Sequence, residues 1–269
     1  MASRATKVLI NFATLKFLSA QQRNAETGLA VGGFDRVICY CRMNIDWRFL
    51  VRNRSLLAAR TGAGYWLWKP YFIKRALGLL SEGDFLFYCD SGSYFVDRID
   101  PLIEVATRTR QQVIPFELVH LERCYTKRDA FILMGCDAAH FTDTRQRLGG
   151  FILLQKSAFA EAFVDEFLDL AQDPRLISDM NNRLGSANYS DFVGHRHDQS
   201  IFSLLTKRHG LAAYRDPSQW GNELRGEYPT SRYGQLIELT RRTTSRPRAL
   251  LLWWRRRLRR ASMSPRSVG

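Results

Sequence analysis

Short apolar runs alternate with longer amphipathic stretches along most of the chain. Residues 7–12, Lys-Val-Leu-Ile-Asn-Phe, are β-rich and of the length a buried parallel strand takes. Residues 19–30 are polar and helix-compatible, Gly32-Gly33 breaks them, and residues 34–40 resume as a strand. This strand–helix–strand order predicts α/β architecture. A helix is expected over residues 46–60, with Phe49, Leu50, Leu56 and Leu57 on one side, and a loop over residues 61–64. The next helix is expected to open at Tyr65-Trp66-Leu67-Trp68-Lys69-Pro70 and continue through Leu80, since proline is tolerated in a first helical turn.

Phe85-Leu86-Phe87-Tyr88-Cys89 is a fully apolar strand that delivers Asp90-Ser91-Gly92 at its end. An acidic residue at the C-terminal edge of a buried strand is where ligand chemistry sits in open α/β sheets. Further on, helices are expected over residues 100–108, 127–134, 157–171 and 198–207, and strands over 113–117 and 149–154. Ser157 is the expected cap of the third of these helices, whose inner stripe is Phe159, Phe163, Phe167 and Leu170.

Composition adds one feature. The 269 residues are 45 % hydrophobic and 25 % charged, which excludes disordered, collagen-like and multi-span membrane classes. The net charge of +14 is concentrated at the end: residues 241–269 hold ten arginines and no acidic residue. We therefore expect a domain over residues 1–240 and a separate basic tail over 241–269. Within that tail, Trp253-Trp254 beside clustered arginines is too short an apolar run to span a bilayer and suits peripheral contact with an anionic membrane surface. No nucleic-acid partner is expected. The odd count of five cysteines, with no Cys-x-x-Cys pair, argues against a disulfide framework and for a reducing compartment. Residues 7–16 carry too few apolar positions for a targeting or spanning segment, so the expected location is cytoplasmic, peripheral at the cytoplasmic face of the inner membrane.

Three groups carry candidate chemistry. Asp90 either holds a divalent cation that neutralises a diphosphate, or caps a turn. His195-Arg196-His197-Asp198-Gln199 offers a metal ligand or acid/base group, or, through Asp198, a helix cap. Tyr65, Trp66, Trp68 and Lys69 offer stacking faces and a phosphate-seeking cation, although two tryptophans at i and i+2 must point differently and at least one belongs to the core.

Taken together, Gly64-Tyr65-Trp66-Leu67-Trp68-Lys69-Pro70, Gly83-Asp84, Tyr88-Cys89-Asp90-Ser91-Gly92, Gly149-Gly150-Phe151-Ile152-Leu153 and His195-Arg196-His197-Asp198-Gln199-Ser200-Ile201-Phe202 resemble a group of bacterial and viral sugar transferases encoded with surface-polysaccharide genes. Asn11-Phe12-Ala13 with Lys16-Phe17 matches as well, and the resemblance covers residues 7–222. It implies a GT-A fold: a Rossmann-like domain that binds a nucleotide-sugar, with a mixed central sheet flanked by helices and a DxD-like motif on a central strand. Asp90 matches the first acid of that motif, and Gly92 replaces the second. The resemblance implies Mn²⁺ or Mg²⁺ at Asp90, completed by His197 or His195. It implies that Lys69, Tyr65 and Trp68 approach the nucleotide and that Asn11, Phe12 and Ala13 end the first strand beside base and ribose. Ser91 and Gly92 continue the donor site, and Gly150 with Gly149 leaves room for donor sugar and acceptor.

The implied activity is transfer of a hexose from a nucleotide-sugar, taken as a UDP-sugar, to a glycan or lipid-linked acceptor in surface-polysaccharide or lipopolysaccharide synthesis. An inverting enzyme needs a carboxylate base, for which Asp198 ranks before Asp143; a retaining one uses Gln199 or the donor diphosphate at the reacting face. The competing readings are a non-catalytic glycan- or nucleic-acid-binding protein and a metal-dependent phosphohydrolase using Asp90, His195 and His197.

Overall fold

The structure is a computed structural model that describes residues 4–240. The expected basic tail and its membrane contact lie outside those residues. Strand β1 (Lys7–Phe12) is buried along its whole length and passes through α1 (Leu18–Thr27) to β2 (Arg36–Tyr40), which pairs with it in parallel. The helix expected over residues 46–60 is instead two, α2 (Trp47–Arg52) and α3 (Arg54–Leu57). Between them Asn53 leaves helical geometry, at φ −107° and ψ 24°. The Asp46 carboxylate caps α2 by accepting from the Arg48 amide at 2.9 Å.

A tight turn, α4 (Gly62–Tyr65), leads into α5 (Trp68–Leu77), where Pro70 occupies the first turn as expected. Strand β3 (Phe85–Cys89) then joins β1 in parallel. After β4 (Ser93–Phe95) and α6 (Asp100–Thr109), the strand expected over 113–117 divides at Pro115. Its first part, β5 (Val113–Ile114), stays in the main sheet; its second, β6 (Phe116–Leu121), founds another. The chain continues through α7 (Glu122–Tyr125), α8 (Arg128–Leu133), α9 (Ala139–Thr142), β7 (Arg145–Arg147) and β8 (Phe151–Gln155). It then runs through α10 (Ala158–Ala171), α11 (Pro174–Ile177), α12 (Asp198–Arg208), β9 (Tyr214–Arg215) and β10 (Ile237–Leu239). The expected cap of α10 forms, with Ser157 Oγ accepting from the Ala160 amide at 3.1 Å.

The main sheet has the order β2-β1-β3-β8-β5, with β8 antiparallel to both β3 and β5. It is therefore a mixed α/β sheet. One face packs Val8, Ile10, Leu86 and Tyr88 against Phe72, Phe163, Phe167 and Phe202 of α5, α10 and α12. The other packs Leu9, Phe85 and Phe87 against Phe34, Phe95, Leu102 and Val105. Burial on both faces is why these strands read as unbroken apolar runs. A three-stranded sheet, β7-β6-β9, and a β10-β4 pair complete the fold.

This topology positions the site. The C-terminal ends of β1, β2 and β3 lie on one edge because the three are parallel. The antiparallel β8 begins on that same edge, and Cys89 pairs with Phe151. Asp90 therefore emerges beside Gly149 and Gly150.

Candidate active site

Asp90 is the open carboxylate of this edge, with a side chain 43 % exposed. Its amide donates to Gly150 O at 2.9 Å, which fixes where the carboxylate points. The Tyr88 hydroxyl donates to Asp90 Oδ1 at 2.5 Å. Burial, and then the neighbouring Asp90 charge, hold the Tyr88 phenol well above its ordinary pKa, so it remains a donor. Turn capping is not what the Asp90 carboxylate does: the Ser93 amide goes to the Asp90 backbone oxygen instead.

Behind Asp90 lies a buried ion pair. The Lys69 ammonium sits 2.6 Å from Asp198 Oδ2 and 4.0 Å from Asp90 Oδ1, and both Lys69 and Asp198 are almost fully inside. Lys69 also donates to Gly149 O at 2.8 Å and lies over the Tyr88 ring. Asp198 is the first residue of α12, yet its carboxylate meets Lys69 and caps nothing. Burial raises its pKa, with the Lys69 ammonium opposing that shift. Asp198, the base expected for an inverting reaction, is thus paired with Lys69 and enclosed.

Gln199 is committed in the same sense. Its Oε1 accepts from the Gly149 amide at 3.0 Å, and its Nε2 donates to Gln146 Oε1 at 2.8 Å. Gln146 in turn donates to Glu122 at 3.0 Å. Glu122 is wholly buried, accepts from Thr126 at 2.7 Å, and is met by Lys207 at 2.5 Å and by the Ser203 hydroxyl. A saturated polar network thus holds the Gly149–Gly150 corner rigid. Space at that corner is tight: a Cβ on Gly150 would lie 3.2 Å from Asp90 Oδ2 and one on Gly149 would lie 3.0 Å from Gln199 Cβ, so either neighbour would have to shift. Gly150→Ala is expected to displace the Asp90 carboxylate and lower turnover about tenfold, with little change in melting temperature; steady-state kinetics beside a thermal melt check this.

Several of the expected site residues are engaged within the protein. Asn11 is buried and hydrogen-bonds Asn24 and Gln21, each at 2.7 Å. Phe12 and Trp68 stack on each other with centroids 3.8 Å apart, and the Trp68 indole donates to Gly62 O. Ala13 is buried as well. These side chains belong to the core and present no face to a ligand. Asp143 is tied to Arg123 at 2.5 Å in an exposed pair. Ser91 and Gly92 stay at the site, bordering a cavity of about 320 Å³ that Arg23, Glu26 and Tyr94 also line. The Arg23 guanidinium lies 3.4 Å from the Tyr94 ring centroid.

Both histidines are anchored on adjacent backbone carbonyls, those of Leu176 and Ile177. His195 Nδ1 accepts from the Lys127 amide at 3.3 Å, so Nε2 carries the proton and donates to Leu176 O at 2.6 Å. Desolvation holds the ring well below its ordinary pKa of 6.5. The unfolded chain binds a proton at this position near pH 6.5 while the folded chain does not. The contribution of His195 is therefore present above pH 6.5 and is lost as pH falls below it. Urea titrations are expected to show that loss, and His195→Gln to flatten it.

His197 Nδ1 donates to Ile177 O at 2.9 Å, which leaves Nε2 3.7 Å from Asp179. Its ring packs on Tyr65 and Trp66, at 5.2 and 5.4 Å. Here sequence reasoning missed a feature. Ala63, Tyr65, Trp66 and His197 all adopt positive φ, between 51° and 59°. Two strained segments therefore meet at one edge of the site. The Gly62 and Gly64 pair was the available signal, since both also take positive φ and a Cβ on Gly62 would overlap the Trp66 ring.

The fit to a divalent cation follows from these contacts. Among the described residues no group of three or more His, Cys, Asp or Glu side chains is arranged to hold a metal ion. Of the expected ligands, His195 has both ring nitrogens in hydrogen bonds and His197 has its Nδ1 in one. Asp90 Oδ2 does face the space that Gly150 keeps open. One carboxylate in such a space fits Mg²⁺ or Mn²⁺ of the kind that substrate phosphates help to hold.

Comparison with solved structures places the chain among α/β proteins of the GT-A type. The apo structure of the WbbM bifunctional glycosyltransferase matches with a TM-score of 0.51 and 8 % identity, over 98 % of this chain and 53 % of that one. Galactosyltransferase LgtC in complex with donor and acceptor sugar analogues gives 0.48 and 10 %, over 86 % of each chain. Apo mouse xyloside xylosyltransferase 1 gives 0.46 and 10 %, over 88 % of this chain and 97 % of that one. At these identities the likeness speaks for the fold alone. No protein-family model matches the chain, and no curated protein does.

Proposed function

We propose that the protein is a glycosyltransferase that takes a nucleotide-diphospho-sugar at the Asp90–Ser91–Gly92 end of β3. One observation carries the reading: a half-exposed carboxylate ends a buried strand of a GT-A sheet, oriented by Tyr88 and Lys69, and faces a space two glycines keep open. In the reaction the bond from the anomeric carbon to the diphosphate breaks, an acceptor hydroxyl oxygen bonds that carbon, and the hydroxyl proton passes to an oxygen of the departing diphosphate. Asp90 would hold Mg²⁺ or Mn²⁺, which when bound neutralises charge on the departing diphosphate. Lys69 keeps Asp198 neutralised and pins Gly149, so the corner beside the sugar does not move. The cavity beside Ser91 and Gly92 suits the nucleotide in size, and Arg23 supplies a cation there.

A hexose donor carried on UDP, and a glycan or lipid-linked acceptor of surface-polysaccharide synthesis, are the substrate classes the sequence resemblance supports. The phosphohydrolase reading needs His195 as a ligand, and both of its ring nitrogens are already hydrogen-bonded. The test is a panel of nucleotide-sugars with and without Mn²⁺, reading release of nucleoside diphosphate. Release from one donor, stimulated by a glycan acceptor, is expected. Release of inorganic phosphate from simple esters would overturn the proposal.

A further inference from the structure

Met43, Trp47 and Val51 recur every four residues and are 67 %, 65 % and 60 % exposed. Trp47 and Val51 make one apolar stripe on α2, and Met43 is exposed on the separate turn that links β2 to it. Arg42, Arg48, Arg52 and Arg54 are exposed along the same segment, and the acid within it, Asp46, has its carboxylate on the Arg48 amide. The underside is firmly mounted. Phe49 stacks on Tyr71 with centroids 4.3 Å apart, the Asp46 amide donates to the Tyr71 hydroxyl at 2.9 Å, and Arg75 donates to Asn44 O at 2.7 Å. The stripe is thus held outward by α5. It also shares the sheet edge of Asp90, because β2 and β3 both run parallel to β1.

We propose that this face docks on an anionic phospholipid surface. A large exposed aromatic with aliphatic neighbours and exposed arginines is the arrangement that enters the headgroup boundary of such a bilayer. Charge complementarity selects this occupant. A second copy, docked by two-fold symmetry, would set the same arginines against each other. The chain's own residues 241–269, with ten arginines and no acid, are likewise repelled. The proposal does not rest on the transferase reading, since binding is measured without turnover.

The test uses the full-length protein with vesicles of phosphatidylglycerol and, separately, of phosphatidylcholine. Hydrogen exchange resolved by segment separates this face from the arginine-rich tail. Backbone amides of residues 42–54 are expected to gain protection on phosphatidylglycerol and none on phosphatidylcholine. Trp47→Glu with Val51→Glu is expected to weaken binding to phosphatidylglycerol about tenfold, with nucleoside-diphosphate release in free solution unchanged. Arg48→Glu with Arg52→Glu, a second pair that leaves the apolar stripe intact, is expected to abolish the protection of residues 42–54 on phosphatidylglycerol. Unchanged exchange over 42–54 on vesicles, equal binding by both variants, absence of vesicle binding, or a dimer that Trp47→Glu dissociates would each overturn the proposal.

Discussion

Lys69→Met is expected to destabilise the protein by about 3–5 kcal/mol, the usual cost of removing one partner from a buried ion pair. Asp198 would then be enclosed with no counter-charge, since the Lys69 ammonium is what meets its Oδ2. The pH dependence should have a definite sign. The Asp198 carboxyl already titrates above its ordinary value because of burial, and loss of Lys69 raises it further. A folded state that binds this proton more tightly than the unfolded chain loses stability as pH rises through the raised pKa. The variant is therefore expected to be more stable in mild acid than at neutrality, relative to wild type. Lys69→Met combined with Asp198→Leu removes both charges and is expected to recover most of the lost stability, since apolar replacement of a buried pair is often neutral or better. Urea denaturation of the two single variants and the double variant measures the coupling.

Asp90→Asn is expected to act in the opposite way, on turnover and not on folding. The side chain is half exposed and close to isosteric with asparagine, so the melting temperature should scarcely change. Nucleoside-diphosphate release should fall about 10²–10³-fold, the range found when one group that stabilises developing charge is removed. The contrast between the variants is informative. On the proposed function Lys69 and Asp198 build the site, whereas Asp90 would face the substrate. A doubly substituted protein that refolds and stays slow would show that the pair also sets the position of Gly149.

Much of this fold was legible in the sequence because its central strands are buried on both faces. Residues 7–12 and 85–89 form the strands their apolar runs predict, and residues 198–208 form the expected helix. The smaller sheets were hidden for a physical reason. Arg145–Arg147 is a strand of polar residues, and Tyr214–Arg215 has two residues, so neither carries a periodic signal. Pro115 divides an apolar stretch between two sheets, which only tertiary pairing reveals.

The candidate site divides along similar lines. Asp90, Lys69, Asp198, Gln199 and the Gly149–Gly150 pair were all chosen from sequence, and the fold brings them together. Asn11, Phe12, Ala13 and Trp68 were chosen too, but strand ends at this edge are packed over by α1 and α5. Their residue types suit a ligand and a core equally well. The opposite failing applies to Glu122, a single acid in a short helix. Its role under Gln146 and Gln199 depends on three side chains distant in sequence, Gln146, Ser203 and Lys207.

The most direct test is a crystal structure of the full-length protein with a nucleoside diphosphate and Mn²⁺. The account predicts the diphosphate at the end of β3, against Asp90, Ser91 and Gly92, with Lys69 still between Asp90 and Asp198. A nucleotide bound elsewhere, with the Asp90 carboxylate untouched and facing solvent, would contradict it.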